Sequence, residues 1–220
     1  MKKITISLIT LLCVLTISAQ DITTMWPYKY PDFRDGTVYF KSRQTLSAPV
    51  NVHLLKSSLH YLDKEEIKEV TTSDIVLVQI DNDSYFMRNN QLIYVIAGDS
   101  LAFLGETILA DFGTLRDIGG AYGSSANVQA TNQLTSIDIG GITITNHMEL
   151  KSKKDGGTLL PLARKYYIVT SEKIYPATRK GIESELSGSE KEAFKQFVKQ
   201  HKINWKRQES LITLLEFFKN

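Results

Sequence analysis

The chain holds one cysteine, Cys13, and none after it. No disulfide can staple the remaining residues, and no thiolate is there to build a zinc site. Exported animal domains of this size usually carry disulfides, so their lack points to a bacterial chain held by an ordinary hydrophobic core. Proline is scarce, yet Pro27 and Pro31 fall within one short stretch and exclude it from a helix interior or a central strand. No internal repeat or low-complexity tract occurs, which removes solenoid and collagen-like architectures. No apolar run reaches the ~20 residues that a membrane span requires. An excess of one charge is also missing. Formal net charge is +2, and Lys2 and Lys3 account for it. A chain neutral beyond them has no overall field to attract nucleic acid.

The longest apolar run, Ile4 to Ile17, follows Lys2 and Lys3 and ends in Ile17-Ser18-Ala19. A basic start, an apolar centre and a small residue at the cut read as a secretory signal peptide over residues 1–19. A lipoprotein signal needs a small residue before its cysteine, and Leu12 stands there, so lipid anchoring is not expected. The expected mature chain starts at Gln20 or Asp21, lies in the periplasm or outside the cell, and forms one domain over residues 20–220. Charge within it is uneven. Residues 151–220 carry fifteen Lys and Arg against eight Asp and Glu, and residues 20–150 carry the compensating acidic excess. Either the two parts attract each other, or the basic tail meets an anionic envelope component.

Residues 25–33 read as an extended strap dense in aromatics that lays Trp26, Tyr28, Tyr30 and Phe33 across the outside of the core or, alternatively, presents an exposed aromatic platform. From Gly36 to Thr114, short runs rich in β-branched and aromatic residues recur with polar turns between them: Thr37–Phe40, Pro49–Leu55, Leu59–Leu62, Ile75–Ile80, Tyr85–Arg88, Leu92–Ala97, Leu101–Leu104 and Thr107–Phe112. That rhythm predicts consecutive antiparallel hairpins with turns at Asp81–Asp83 and Arg88–Asn90. Gly119–Asn132 reads as a long loop, and strands resume at Ile142–Thr145 and Tyr166–Thr170. Helical period then takes over. Ser189 and Glu192 have capping-box spacing, Phe194, Phe197 and Val198 share a face, and Leu211, Leu215 and Phe218 form another, with room for a short helix ending near Leu186. The expected class is α+β: a β-rich antiparallel meander, of sandwich or barrel type, followed by two or three C-terminal amphipathic helices over about 178–219.

Several segments together resemble a family of exported proteins of gut-type Gram-negative bacteria with no known activity. They are the Ser18-Ala19-Gln20 ending, Asn51-Val52-His53-Leu54-Leu55 with Leu59-His60-Tyr61-Leu62, Lys165 to Val169 with Lys173-Ile174-Tyr175-Pro176-Ala177, and Phe197-Val198 leading to His201-Lys202-Ile203-Asn204-Trp205. The resemblance implies export and a β-then-helix layout, and it carries over no functional residue.

Catalytic patterns are weak. A turn at Lys56-Ser57 would set His53 opposite His60, and two imidazoles could hold zinc or copper if a third ligand arrived. Without one they read as partly exposed strand histidines. Gly123-Ser124-Ser125 lacks a nucleophile elbow, and Gly119–Gly123 lacks the Lys-Ser/Thr that closes a phosphate loop. Asp63, Glu65, Glu66 and Glu69 read as a solvated turn. The expectation is an exported, non-catalytic envelope protein that binds a protein or a glycan, with Trp26, Tyr28, Tyr30 and Tyr122 as binding candidates and no cofactor, metal or nucleic-acid partner. The alternative is a cell-wall or polysaccharide hydrolase with scattered catalytic residues. Sequencing the N-terminus of the exported protein should find the chain cut after Ala19 or Gln20, and a chain beginning at a diacylated Cys13 would refute this.

Overall fold

A computed structural model describes residues 22–114 and 145–219. Its strands are β1 (Arg34–Phe40), β2 (Thr45–His53), β3 (Ser58–Asp63), β4 (Glu66–Glu69), β5 (Ile75–Ile80), β6 (Asp83–Arg88), β7 (Gln91–Gly98), β8 (Ala102–Ala110), β9 (Thr145–Asn146), β10 (Leu162–Thr170) and β11 (Ile174–Pro176). The helices are α1 (His147–Ser152), α2 (Arg179–Glu183), α3 (Gly188–Gln200), α4 (Gln208–Ile212) and α5 (Leu214–Phe218). All strands join one 11-stranded antiparallel sheet in the order β11-β10-β8-β7-β6-β5-β1-β2-β3-β4-β9. The class is therefore α+β and β-rich. None of the described helices is long and apolar enough to cross a membrane.

Side-chain alternation sets the two faces. Val38, Val78, Tyr85, Tyr94, Glu106 and Tyr166 lie directly opposite one another in turn on β1, β5, β6, β7, β8 and β10. This transverse row marks the inner face. Hairpin turns fix the register, as at β6–β7, where Asn89 (φ 51°) and Asn90 (φ 59°) occupy the left-handed region that a two-residue type I′ turn demands. The sheet twists and curls until β8 and β7 meet the β2–β3 turn, with the Ala110 amide of β8 donating to the Leu54 carbonyl (2.9 Å) and the Leu92 amide of β7 to Ser57 Oγ (3.1 Å). It does not close into a barrel, and the single sheet replaces the sandwich-or-barrel expectation.

Two apolar clusters share the inner face. Val38, Val50, Val52, Leu59, Val78, Ile80 and Tyr85 fill the curl. Leu104 and Ile168 pack against Ile182, Phe194, Leu211, Leu214 and Leu215 of the helices. A third, small cluster of Ile93, Phe103 and Val169 lies on the outer face. The basic tail and the β body are tied by Lys219 to Asp99 (2.7 Å) and Arg164 to Glu106 (3.0 Å).

Some expectations are corrected by packing. The acidic run at residues 63–69 is not a turn alone: β4 forms there by pairing with β3, with Ile67 buried opposite Leu62 and Lys68 ion-paired with Asp63. The runs 101–104 and 107–112 are one strand, β8, which passes through Gly105-Glu106 without a break. The Ser189/Glu192 capping box is not used, because α3 already starts at Gly188 with Ser187 as its cap residue and no capping side-chain bond. The short helix before Leu186 is α2, where Thr178 Oγ1 accepts from the Gly181 amide (3.0 Å). The last helix is broken at Thr213. The loop at 119–132, with Tyr122, falls outside the described residues.

The strap is the largest correction. It does not cross the outside of the core; it runs beside β2 in the lane that β1 occupies further on. The Leu54 amide donates to the Pro27 carbonyl and the Lys29 amide to the Val52 carbonyl, both at 2.9 Å. Pro31 interrupts this ladder, and the fully buried Asn51 side chain fills the gap. Its Oδ1 accepts from the Tyr30 amide (3.1 Å) and the Val52 amide (2.9 Å), and its Nδ2 donates to the carbonyls of Tyr30 (2.9 Å) and Asp32 (3.1 Å). Replacing Asn51 by alanine strands several buried backbone groups, and each such loss costs about 1–3 kcal/mol. We expect N51A to destabilise the fold by about 3 kcal/mol or more, read as a lowered urea midpoint with circular dichroism; an unchanged midpoint would refute the role.

Candidate functional site

The sequence-chosen aromatics are not a surface. Trp26 is 0 %, Tyr28 3 % and Tyr30 6 % exposed, so no open aromatic platform forms from them. The strand lane explains this: pairing with β2 pins the strap and turns its rings into neighbouring packing. Trp26 donates from Nε1 to the Tyr30 carbonyl (2.9 Å), and its ring packs against Tyr28, Phe33 and His147.

The histidine pair also differs from the expected geometry. The β2–β3 register sets His53 opposite Ser58 and His60 opposite Asn51, so the two rings are diagonal neighbours. They stack at 4.5 Å between centroids with planes 11° apart. Lone pairs in nearly parallel planes do not converge on one ion, and among the described residues no group of three His, Asp or Glu could hold a metal. His60 bonds the Tyr28 hydroxyl through Nδ1 (2.9 Å) and the Ser58 hydroxyl through Nε2 (3.2 Å). His53 is buried, not partly exposed, and neither ring nitrogen has a hydrogen-bond partner among the described residues. Burial, helped by the charge of Lys56, lowers its pKa to about 4.

The chemistry that sequence reading missed lies on the inner face, at the seam between the two apolar clusters. Strand pairing places Tyr85, Tyr94, Glu106 and Tyr166 in line there. Lys29 enters from the strap, its Nζ 3.9 Å from the centroid of Tyr94, 4.9 Å from Tyr85 and 5.7 Å from Tyr30. Asp83 holds this cage together, accepting from the Tyr30 hydroxyl and, through Oδ1, from the Tyr94 hydroxyl (3.1 Å); Tyr30 and Tyr85 also bond through their hydroxyls. Glu106, 6 % exposed, pairs with Arg164 (3.0 Å). Among the described residues, Lys29 Nζ has neither an ion pair within 4.0 Å nor a hydrogen-bond acceptor. Ring faces attract an ammonium by about 1 kcal/mol, whereas removing it from water costs several. Burial wins and brings the Lys29 pKa down to about 8, against the opposing pull of Asp83 and Glu106. Burial also pushes the Tyr30 and Tyr85 hydroxyls well above the usual phenol range. A lysine between two tyrosines, with further tyrosines at strand spacing, was the available signal; which faces they share depends on the strap's lane.

The outer face offers an open groove across β2, β1 and β5, lined by Asp35, Thr37, Ser47, Pro49, Gln79 and Asp81. Ser47, Thr37, Gln79 and Ser84 are directly opposite in turn across four strands. At the usual strand spacing that row is about 14 Å long. Tyr39, 36 % exposed, stands beside it and donates its hydroxyl to Gln79 Oε1 (3.0 Å). Asp81 is paired with Arg34 (3.2 Å).

His53 generates a pH test. Its native pKa lies below the unfolded value, so from pH 6.5 down to about 4 the unfolded chain takes up a proton that the native state refuses. Native stability should fall by about 3 kcal/mol across that window, and His53→Phe should remove this part of the slope. Urea midpoints of both proteins from pH 7.5 to 4 check it; parallel curves would refute it. Comparison with family models, curated proteins and solved structures finds no match to this chain.

Proposed function

We propose that the protein is an exported, non-catalytic, glycan-binding protein of the bacterial envelope, and that the outer groove is its binding face. The observation that supports this is the groove's chemistry: a row of hydroxyl and amide side chains beside an exposed tyrosine ring. A sugar ring offers hydroxyls that both donate and accept, with a C–H face between them. Thr37, Ser47 and Gln79 can meet the hydroxyls, since each both donates and accepts. Tyr39 can meet the C–H face, as aromatic rings do at wet interfaces. Asp35 and Asp81 disfavour an acidic polymer, so the reading is a neutral glycan. An open face suits a chain held along its length. The signal-like residues 1–19 supply the export, and the helices at about 178–219 are read as part of one domain with the sheet.

Affinity electrophoresis through gels cast with neutral or acidic soluble polysaccharides tests the proposal. At least one neutral polymer should retard the protein, and Tyr39→Ala with Gln79→Ala should weaken that retardation at least tenfold while leaving the melting temperature near that of the parent. Retardation unchanged in the variant, or by acidic polymers alone, overturns the assignment. Shortening of the polymer would move it to the hydrolase reading, with Asp35 and Asp81 as the carboxylates to mutate.

A further inference from the structure

The Lys29 cage lies on the face opposite the groove and serves nothing in the glycan reading. A lysine used only for packing would snorkel its charge to water or find a carboxylate. Lys29 does neither: its amine rests over Tyr94 and Tyr85, with Asp83 and Glu106 close enough to influence its charge but beyond ion-pair reach. Lys29 and the Tyr94 ring beneath its amine are each only half-buried, so the cage keeps a side that faces solvent.

We propose that Lys29 is a reactive amine that condenses with a small aldehyde or ketone to form an imine, with the carbonyl compound seated against the half-buried Tyr94. The nitrogen lone pair attacks the carbonyl carbon, and the carbonyl π pair moves to oxygen, which takes a proton. That proton comes from nitrogen and gives the carbinolamine. A second, from solvent, lets its hydroxyl leave as water while the nitrogen lone pair forms C=N. The iminium left behind still holds one N–H proton and becomes the neutral imine on losing it to solvent. Nothing is oxidised or reduced. The cage fits both ends of this sequence. Burial favours the neutral amine that must attack, and the tyrosine faces with Asp83 and Glu106 accommodate the cationic iminium that follows, as they do the ammonium. Arg164, the other charged group facing Lys29, opposes its protonation and is itself held by Glu106.

At pH 7 a lysine titrating near 8 is neutral roughly 300 times more often than one at the ordinary value. Intrinsic nucleophilicity falls with pKa and, by the slope known for thiols, returns about a factor of ten. The full chain would be treated with limiting benzaldehyde and sodium cyanoborohydride, which reduces the imine to a stable benzylamine, and mapped by peptide mass spectrometry. Lys29 should be modified on the order of tenfold faster than the exposed Lys64 and Lys199 at pH 7, with its own rate levelling above pH 8. Lys29→Arg should remove the fast-reacting site and leave the other lysines unchanged. Modification of Lys29 in the parent protein no faster than Lys64 and Lys199 overturns the proposal, and that comparison needs no variant to fold.

Discussion

The fold depends on one side-chain amide standing in for a stretch of backbone. Where Pro31 breaks the ladder between strap and β2, Asn51 supplies the missing donors and acceptor, and Trp26 adds a second donor to the Tyr30 carbonyl. A buried peptide group without partners would cost more than most single contacts return. With Asn51 in place, the strap can run as strand before and after the proline. Lys29 and Tyr30 are thereby delivered to the inner face at a fixed height, opposite strands β6 and β7 that lie far away in sequence.

The inner face is then apolar at both ends and polar at its middle. One cluster fills the curl and the other anchors the helices, and Asp83, Tyr94, Glu106 and Arg164 occupy the seam. Breaking one partner of such a network exposes the rest to unpaired burial, so the seam constrains the fold as well as offering chemistry. The tyrosine hydroxyls meet through Asp83 because β6 and β7 present Asp83, Tyr85 and Tyr94 on the same side, a direct result of period-two alternation around a two-residue turn.

That alternation was legible from composition wherever strands bury one face. β5 follows Ile75–Ile80 to the residue, and the Asn89-Asn90 turn follows from tolerance of left-handed backbone. β4 was hidden because three of its four residues are charged and only Ile67 is buried. β8 read as two strands because Gly105-Glu106 resembles a turn, while in the sheet it is flanked by β7 and β10 on both sides. Site residues were less visible for a general reason. Trp26, Tyr28 and Tyr30 drew notice by type, but type does not tell an exposed ring from a buried one; pairing partners decide that. Lys29 sat between two tyrosines and drew none, because its environment is built by β6, β7 and β8.

An open sheet has edges, and an edge is a template for another copy of the chain. The β11 edge consists of Ile174, Tyr175 and Pro176, of which the last has no amide hydrogen to offer, and the backbone then bends at once into α2. A foreign strand arriving there would find too few groups to zip against. On this side, then, three residues, one of them a proline, are what keep the sheet from being extended into a fibre by a second copy.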